Sequence, residues 1–332
     1  MFLLALVATS HAGEASYGKG FTIEDGDWKL KIGARVQARY TFESPTDDLS
    51  QSESYFSIPR ARLKLSGDAG PRLGYYFQAD FGQGQVALKD FLVDYELAEG
   101  ISLVAGQYKK SFSRQQLSSS SSLQFTERAL TDEAFGAGRD IGVSVLGTPE
   151  GGGVGWALGV FNGTRDTRWF APVAVARVSY DSSGFKGYKE PDLKGGGLRY
   201  SLGAGVQSEF DADGDDSSCV AANLDYILKV QGFSTSGAVY VGTVQSGGSW
   251  TDQAYSALGF HAQAGYVVAE RVEPVLRYGQ ILPDGAAATH ELGAGLNVYG
   301  RGHDSKLQTG AIYTTSGGAG EVFASTTYQF QF

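Results

Sequence analysis

Apolar and polar residues alternate with a period of two along most of the chain, and the three-four spacing of an amphipathic helix is hard to find. The end of the chain shows it best. Val322, Ala324, Thr326, Tyr328, Phe330 and Phe332 share one face of an extended strand, and Ser325, Thr327, Gln329 and Gln331 share the other. Residues 29–40 repeat the pattern, with Leu30, Ile32, Ala34, Val36, Ala38 and Tyr40 on one side and Lys29, Lys31, Arg35, Gln37 and Arg39 on the other. In residues 58–67, Ala61, Leu63 and Leu65 oppose Arg60, Arg62 and Lys64. Comparable segments follow at 73–82, 87–97, 101–108, 139–147, 154–162, 172–181, 197–207, 220–230, 233–242, 255–268, 271–280, 288–299 and 304–314. With the terminal segment 322–332 they make about sixteen strands, near the ~9–11 residues that a tilted strand needs to cross a bilayer.

Turn chemistry supports the same reading. Short turns at 68–71, 98–100 and 269–270 contrast with longer polar loops at 43–54, 211–218 and 245–252. Short connections at one end and long ones at the other are the habit of a membrane barrel. The longest strand-poor stretch is 109–138, a length that points to a functional loop. No linker or tandem repeat beyond the hairpin rhythm divides the chain, so residues 13–332 read as one β-barrel domain.

One face suits lipid and the other water, which predicts an all-β, transmembrane, antiparallel barrel. Strands can cross hydrocarbon only when the sheet closes on itself. About sixteen of them enclose more space than side chains fill, leaving an aqueous lumen. Selectivity would come from charges at its narrowest point. Arg35, Arg39, Arg60, Arg62 and Lys64 fall on the water face, and Lys109, Lys110 and Arg114 open the long stretch. Asp80, Asp90 and Asp94 form an opposing acidic wall. Clusters of opposite sign across a constriction would create a transverse field that admits anions over cations. The plainer alternative is a set of wall ion pairs worth about 0–1 kcal/mol each. Residues 118–122 read as a flexible lumen segment, and Glu127 with Arg128 as a pin between the loop and the wall.

Composition narrows the class further. The 332 residues include 47 Gly, 18 Tyr and 19 Phe but one Met and one Cys, a β-rich profile. Mean hydropathy is slightly negative and no run of about 18 apolar residues follows the N-terminus, which excludes a helical membrane protein. Residues 1–12, an apolar stretch ending in Ser10-His11-Ala12, read as a signal peptide cut after Ala12. Cys219, the one cysteine, excludes an intramolecular disulfide and a cysteine zinc cluster. The net charge of −9 leaves local basic selectivity intact, because Asp47, Asp48, Asp211, Asp213, Asp215 and Asp216 fall in loops.

Other chemistry fails on spacing. Asp211-Ala212-Asp213-Gly214-Asp215-Asp216 has its glycine fourth, where a calcium loop needs it sixth, and lacks the distal glutamate. Four histidines are scattered, and His261, His290 and His303 adjoin no nucleophile motif. Glycines 151–155 lack the lysine of a phosphate loop. No enzyme, cofactor, metal or nucleic-acid partner is expected.

An ordered series of segments adds a resemblance. Pro59-Arg60-Ala61-Arg62-Leu63-Lys64-Leu65-Ser66-Gly67, Tyr75-Tyr76-Phe77-Gln78-Ala79-Asp80-Phe81-Gly82, Leu88-Lys89-Asp90, Asp94-Tyr95, Gly106-Gln107-Tyr108-Lys109-Lys110-Ser111-Phe112, Phe125-Thr126-Glu127-Arg128 and Gly138-Arg139-Asp140-Ile141-Gly142 occur in turn. Together they resemble the phosphate-selective porin O and P family, over roughly residues 28 to 147. The resemblance implies a sixteen-stranded barrel, usually a homotrimer, with its third long loop folded inward. It also implies the outer membrane of a Gram-negative bacterium, with contacts to lipid and lipopolysaccharide and passive diffusion of small anionic or polar solutes.

Arg35 and Arg60 match positions where phosphate-specific members supply arginines. Pro59 stands where they carry a second arginine, Tyr76 and Gln116 where they carry lysines, and Lys89 where they carry an acid. Arg62 and Lys64 partly replace the lost charge, so the resemblance implies a weak anion preference. The terminal Phe332 resembles the signal read by barrel assembly machinery. The alternative function is a non-conducting structural or adhesion barrel.

Overall fold

The computed structural model describes residues 14–18, 20–148, 151–164, 171–185, 188–210, 218–244 and 255–332. The leader 1–12, the acidic stretch 211–216 and the loop 245–252 lie outside the described residues. The chain forms β1 (Glu14–Gly18), β2 (Gly20–Asp25), β3 (Trp28–Pro45), β4 (Glu53–Ala69), β5 (Leu73–Asp80), β6 (Ala87–Ala98) and β7 (Ile101–Lys109). Two short helices, α1 (Arg114–Leu117) and α2 (Leu130–Phe135), precede β8 (Arg139–Gly147), β9 (Gly153–Thr164), β10 (Ala171–Asp181), β11 (Arg199–Phe210) and β12 (Ser218–Val230). The wall finishes with β13 (Phe233–Val244), β14 (Tyr255–Tyr266), β15 (Val272–Pro283), β16 (Thr289–Tyr299), β17 (Ser305–Ser316) and β18 (Ala319–Gln331).

From β3 onward each strand pairs antiparallel with the next, and β18 pairs back onto β3 from Glu321 opposite Pro45 to Gln331 opposite Arg35. Sixteen strands therefore close into a barrel with no free edge in the wall. The expected alternation holds on β18, where Tyr328 and Phe330 are 49% and 40% exposed while Thr327 and Gln329 are 1% and 0%. Leu224, Leu276 and Leu292 are exposed, whereas Asn223, Arg277 and Glu291 beside them are buried. The barrel is apolar outside and polar inside, the reverse of a water-soluble fold.

The strands differ from the sequence reading in three places. First, β3 and β4 run 18 and 17 residues, because Glu43 pairs with Glu53 and takes the ends of the expected loop into the sheet. Second, an unforeseen hairpin, β1 with β2, precedes the barrel. It pairs with the start of β3, from Phe21 opposite Ile32 to Asp25 opposite Trp28, continuing the edge that β18 leaves. Third, the connection 182–198 is long although it lies at the end where 70–72, 99–100 and 231–232 are tight turns.

Phe332 sits where β18 stops and β2 takes over. Its N–H donates to the Ala34 carbonyl at 3.1 Å and its carbonyl accepts from the Ala34 N–H at 3.2 Å. Its ring meets Phe21 edge-on at 6.2 Å. A methyl group on Gly33 would lie 2.9 Å from the Phe332 carbonyl oxygen, so the junction needs glycine there.

The inner face is not polar throughout. Val104, Tyr108, Phe161, Val173, Val175, Tyr240 and Ile281 form a buried apolar cluster, joined by Phe112 and Phe135 from the connection between β7 and β8. Tyr240 stacks on Phe135 at 5.3 Å, which fixes α2 against β13.

Deleting Phe332 removes two backbone hydrogen bonds and the Phe21 contact. Stability should fall by about 2–4 kcal/mol, from ~1 kcal/mol for each hydrogen bond and the remainder from the lost ring. Urea unfolding of the purified barrel in detergent micelles checks this, and an unchanged midpoint would show that the junction is dispensable.

Candidate functional site

Register brings the basic residues into rows. Across β3, β4 and β5, Arg35 lies opposite Arg62 and Arg62 opposite Asp80. One pair further along, Lys64 faces Gln78 and Gln78 faces Asp90 on β6. Bulges between Gln37 and Arg39 and between Gln78 and Ala79 re-aim these strands locally. Arg62 Nε donates to Asp80 Oδ2 at 2.7 Å, and Arg139 binds Asp90 through Nε and Nη2 at 3.0 and 3.1 Å.

The connection 110–138 is held by side chains of the buried polar phase around the wall. Arg35 donates to Ser120 Oγ at 3.0 Å. Glu127 is ion-paired with Arg39 at 2.6 Å and accepts from Arg60 at 3.0 Å. On the far side Asp225 of β12 binds Arg114 Nε at 2.9 Å and Arg177 Nη1 at 2.6 Å. Gln124 Nε2 donates to Ser234 and Glu273, and its carbonyl accepts from Asn297 and Gln308. Arg277 stacks on Phe125 at 4.1 Å and donates to the Glu127 and Arg128 carbonyls. The connection 182–198 meets this segment as well, since Glu190 accepts from Gln115 Nε2 at 3.1 Å and from the Gln124 N–H at 2.6 Å.

Beside β4 lies a cavity of about 500 Å³ lined by six basic residues, Arg60, Arg62, Lys64, Lys109, Arg128 and Arg139, against two acids, Asp90 and Asp94. A second cavity of about 950 Å³, toward the end with the tight turns, shares Lys64, Tyr76 and Ser119 with the first. It adds Lys31, Lys194 and Arg301. Lys64 therefore stands at the neck between two spaces that are both rich in positive charge.

Several expected site residues take other places. Arg114 is 4% exposed and tied to Asp225, so it anchors the connection to the far wall instead of lining the cavity. Arg39 is 8% exposed, held by Glu127 and Thr327. Lys110 lines neither cavity and has Asp140 and Glu209 as its acidic neighbours. Asp80 does not face the basic cluster across a gap, because it is the cross-strand partner of Arg62. Of the expected pin, only Glu127 reaches the wall. Arg128 turns back onto the carbonyls of Gln115 and Ser118 and onto Asp132 at 3.4 Å. Residues 118–122 are not a loose serine run, since Ser118, Ser120, Ser121 and Ser122 are all buried.

The sequence reading missed Arg128 and Arg139 as lining residues. Arg139 shares the parity of Ile141 and Val143, the exposed residues of its strand, so counting would have placed it on the apolar face, and its partner Asp90 is set by register. Asp225, Glu190 and Gln124 gave no local signal.

A closed sixteen-strand barrel, apolar outside, with charged cavities inside, is the architecture of an outer-membrane porin. The model of the family described as phosphate-selective porin O and P matches residues 30–299, and the chain belongs to that family. It is accordingly a porin of a Gram-negative outer membrane. No curated protein matches the sequence.

Among solved structures, the anion-selective porin from Comamonas acidovorans is 14% identical with a TM-score of 0.67, covering 91% of this chain and 99% of that one. The outer membrane channel DcaP of Acinetobacter baumannii is 13% identical with a TM-score of 0.67, covering 95% and 100%. The trimer form of Vibrio cholerae OmpT is 10% identical with a TM-score of 0.60, covering 91% and 99%. At such identities the likeness is one of fold.

Burial alone would raise the Glu127 pKa, but Arg60 and Arg39 hold it below the ordinary carboxylate value. A depressed acid stabilises the fold above its unfolded pKa, about 4.3, and that contribution is lost as pH falls through the lower folded value. Open-channel current noise in planar bilayers should therefore stay flat from pH 7 to about 5 and rise below about pH 4. Glu127→Gln should show the raised noise already at pH 7, and a quiet variant would dismiss the clamp.

Proposed function

We propose that this porin prefers anions, and that the segment 110–138 is its inward-folded third loop, narrowing the lumen to the space beside β4. Six basic residues against two acidic ones around the cavity carry this reading. Lumen charge acts through low-dielectric walls, so a local excess of one sign decides which ions enter. Arg60, Arg62 and Lys64 supply the wall charge, Lys109, Arg128 and Arg139 the remainder, and Arg35 steadies the loop through Ser120. The selectivity in the name of the Comamonas acidovorans porin supports the same sign.

Inorganic phosphate is one small anion that such a lumen passes, with no dedicated high-affinity site. The phosphate ligand set that the resemblance implies is incomplete: Tyr76 occupies the neck and Gln116 lies on α1, where lysines were the pattern. The assembly we propose is a homotrimer in lipid and lipopolysaccharide, supported by the trimer form of Vibrio cholerae OmpT. Phe332 would serve both as the junction residue seen here and as the signal for barrel assembly machinery.

Reversal potentials in a potassium chloride gradient test the sign. The unaltered protein should favour chloride. Lys64→Gln should lower the chloride-to-potassium permeability ratio by at least about fivefold, the Boltzmann factor of the ~1 kcal/mol of attraction that chloride loses when a unit charge about 4 Å away in water is removed. A potassium-selective unaltered channel would refute the proposal.

A further inference from the structure

Part of the cavity beside β4 is apolar. Leu92 of β6, Leu146 of β8 and Leu117 of α1 line the same space as Arg62 and Lys64. Apolar residues elsewhere on the inner phase are covered: Phe161, Val173, Val175 and Ile281 are only 2–4% exposed. Leu92, Leu117 and Leu146 remain half-buried and face the cavity. Hydrated chloride or phosphate has nothing to cover such a surface with, whereas an apolar body placed on it would release water from both. Small-molecule sites combine these elements, an apolar lining with a few charges that orient the ligand, in volumes like this one.

We propose that the cavity takes an organic monocarboxylate with an aromatic or branched aliphatic body. This rests on the anion-preferring reading above. The carboxylate meets Arg62 and Lys64, and the body lies against Leu92, Leu117 and Leu146. The two acids in the lining refine the class. Asp90 is engaged by Arg139 at 3.0 and 3.1 Å and by Gln78 at 2.8 Å. Asp94 is the cross-strand partner of Val104, on the apolar side of the space. Its charge disfavours a second carboxylate there, so a monoanion fits better than a dianion.

Block of chloride current through the full-length protein in planar bilayers tests this, with potassium benzoate, acetate, phosphate and phthalate as probes. Benzoate should block at about tenfold lower concentration than acetate, the scale of an added apolar contact in a pocket, and phosphate and phthalate should block less well than benzoate. Leu92→Ser should bring benzoate and acetate close together while chloride selectivity persists. If that variant does not assemble, Leu117→Ser on the connection gives the same readout. Equal block by benzoate and acetate in a chloride-selective channel would overturn the inference and leave the anion preference standing. So would phosphate or phthalate blocking better than benzoate, or a benzoate advantage untouched by the substitution. A potassium-selective channel would overturn both readings.

Discussion

The backbone hydrogen bonds between β18 and β3 are the constraint on which the rest of the molecule depends. A sheet in hydrocarbon with one open edge would leave a row of unpaired N–H and C=O groups, each costly to bury. Closure removes that edge and fixes the parity of every strand, because a slip of one residue would turn Arg35, Gln37 and Arg39 outward and Val36 and Tyr40 inward. The pairing of Phe332 with Ala34 and the adjoining β2 carry the ladder past the point where β18 ends. The hairpin β1 with β2 thus completes an edge that the sixteen wall strands leave short.

Once parity is fixed, the inner polar phase must find partners. One sector finds them in protein: Asp225 holds two arginines, Gln124 serves as donor and acceptor to five strands, and Arg277 lies on Phe125. Interlocked polar groups of this kind are stable only when nearly all are satisfied. The apolar cluster around Tyr240 and Phe135 fills what the polar network does not. The cavity beside β4 lies on the side walled by β4, β5, β6, β7 and β8, where basic side chains and half-buried leucines share a lining, and it meets the larger cavity at Lys64.

Strand number, parity and closure were legible in the sequence because a two-residue period and turn residues are local signals. Val322 to Phe332 could be assigned to faces by counting. The inner phase was read as uniformly polar, and that assumption hid Leu92, Val104 and Leu146, although Leu92 is in phase with Asp90 and Asp94 in its strand, Leu146 with Ser144 in its own, and Val104 with Ser102 and Tyr108. Strict parity would have found them. The cross-strand pairing of Arg62 with Asp80 depends on register, and register here depends on bulges that no residue type announces. The capture of Arg114 by Asp225 joins positions 111 apart, beyond any local pattern. The fold of the connection 182–198 rests on single contacts such as Glu190 with Gln115 and Gln124, which have no periodicity.

The net charge of −9 and a basic cavity are consistent once distance and dielectric are considered. Acids in solvated loops are screened within about 8 Å at physiological salt, so they set solubility more than pore potential. Charges beside a narrow aqueous space bounded by protein and lipid are screened far less. Of the acids near the cavity, Asp80 and Asp90 are each bound to an arginine, and Glu127 is shared between two. Lys64 stands at the neck, and Arg35 beside it makes its hydrogen bonds to serine hydroxyls, which leave its charge in place. On the anion-preferring proposal, a permeating solute meets the positive residue of these pairings together with Asp94, and the chain's overall acidity has little bearing on it.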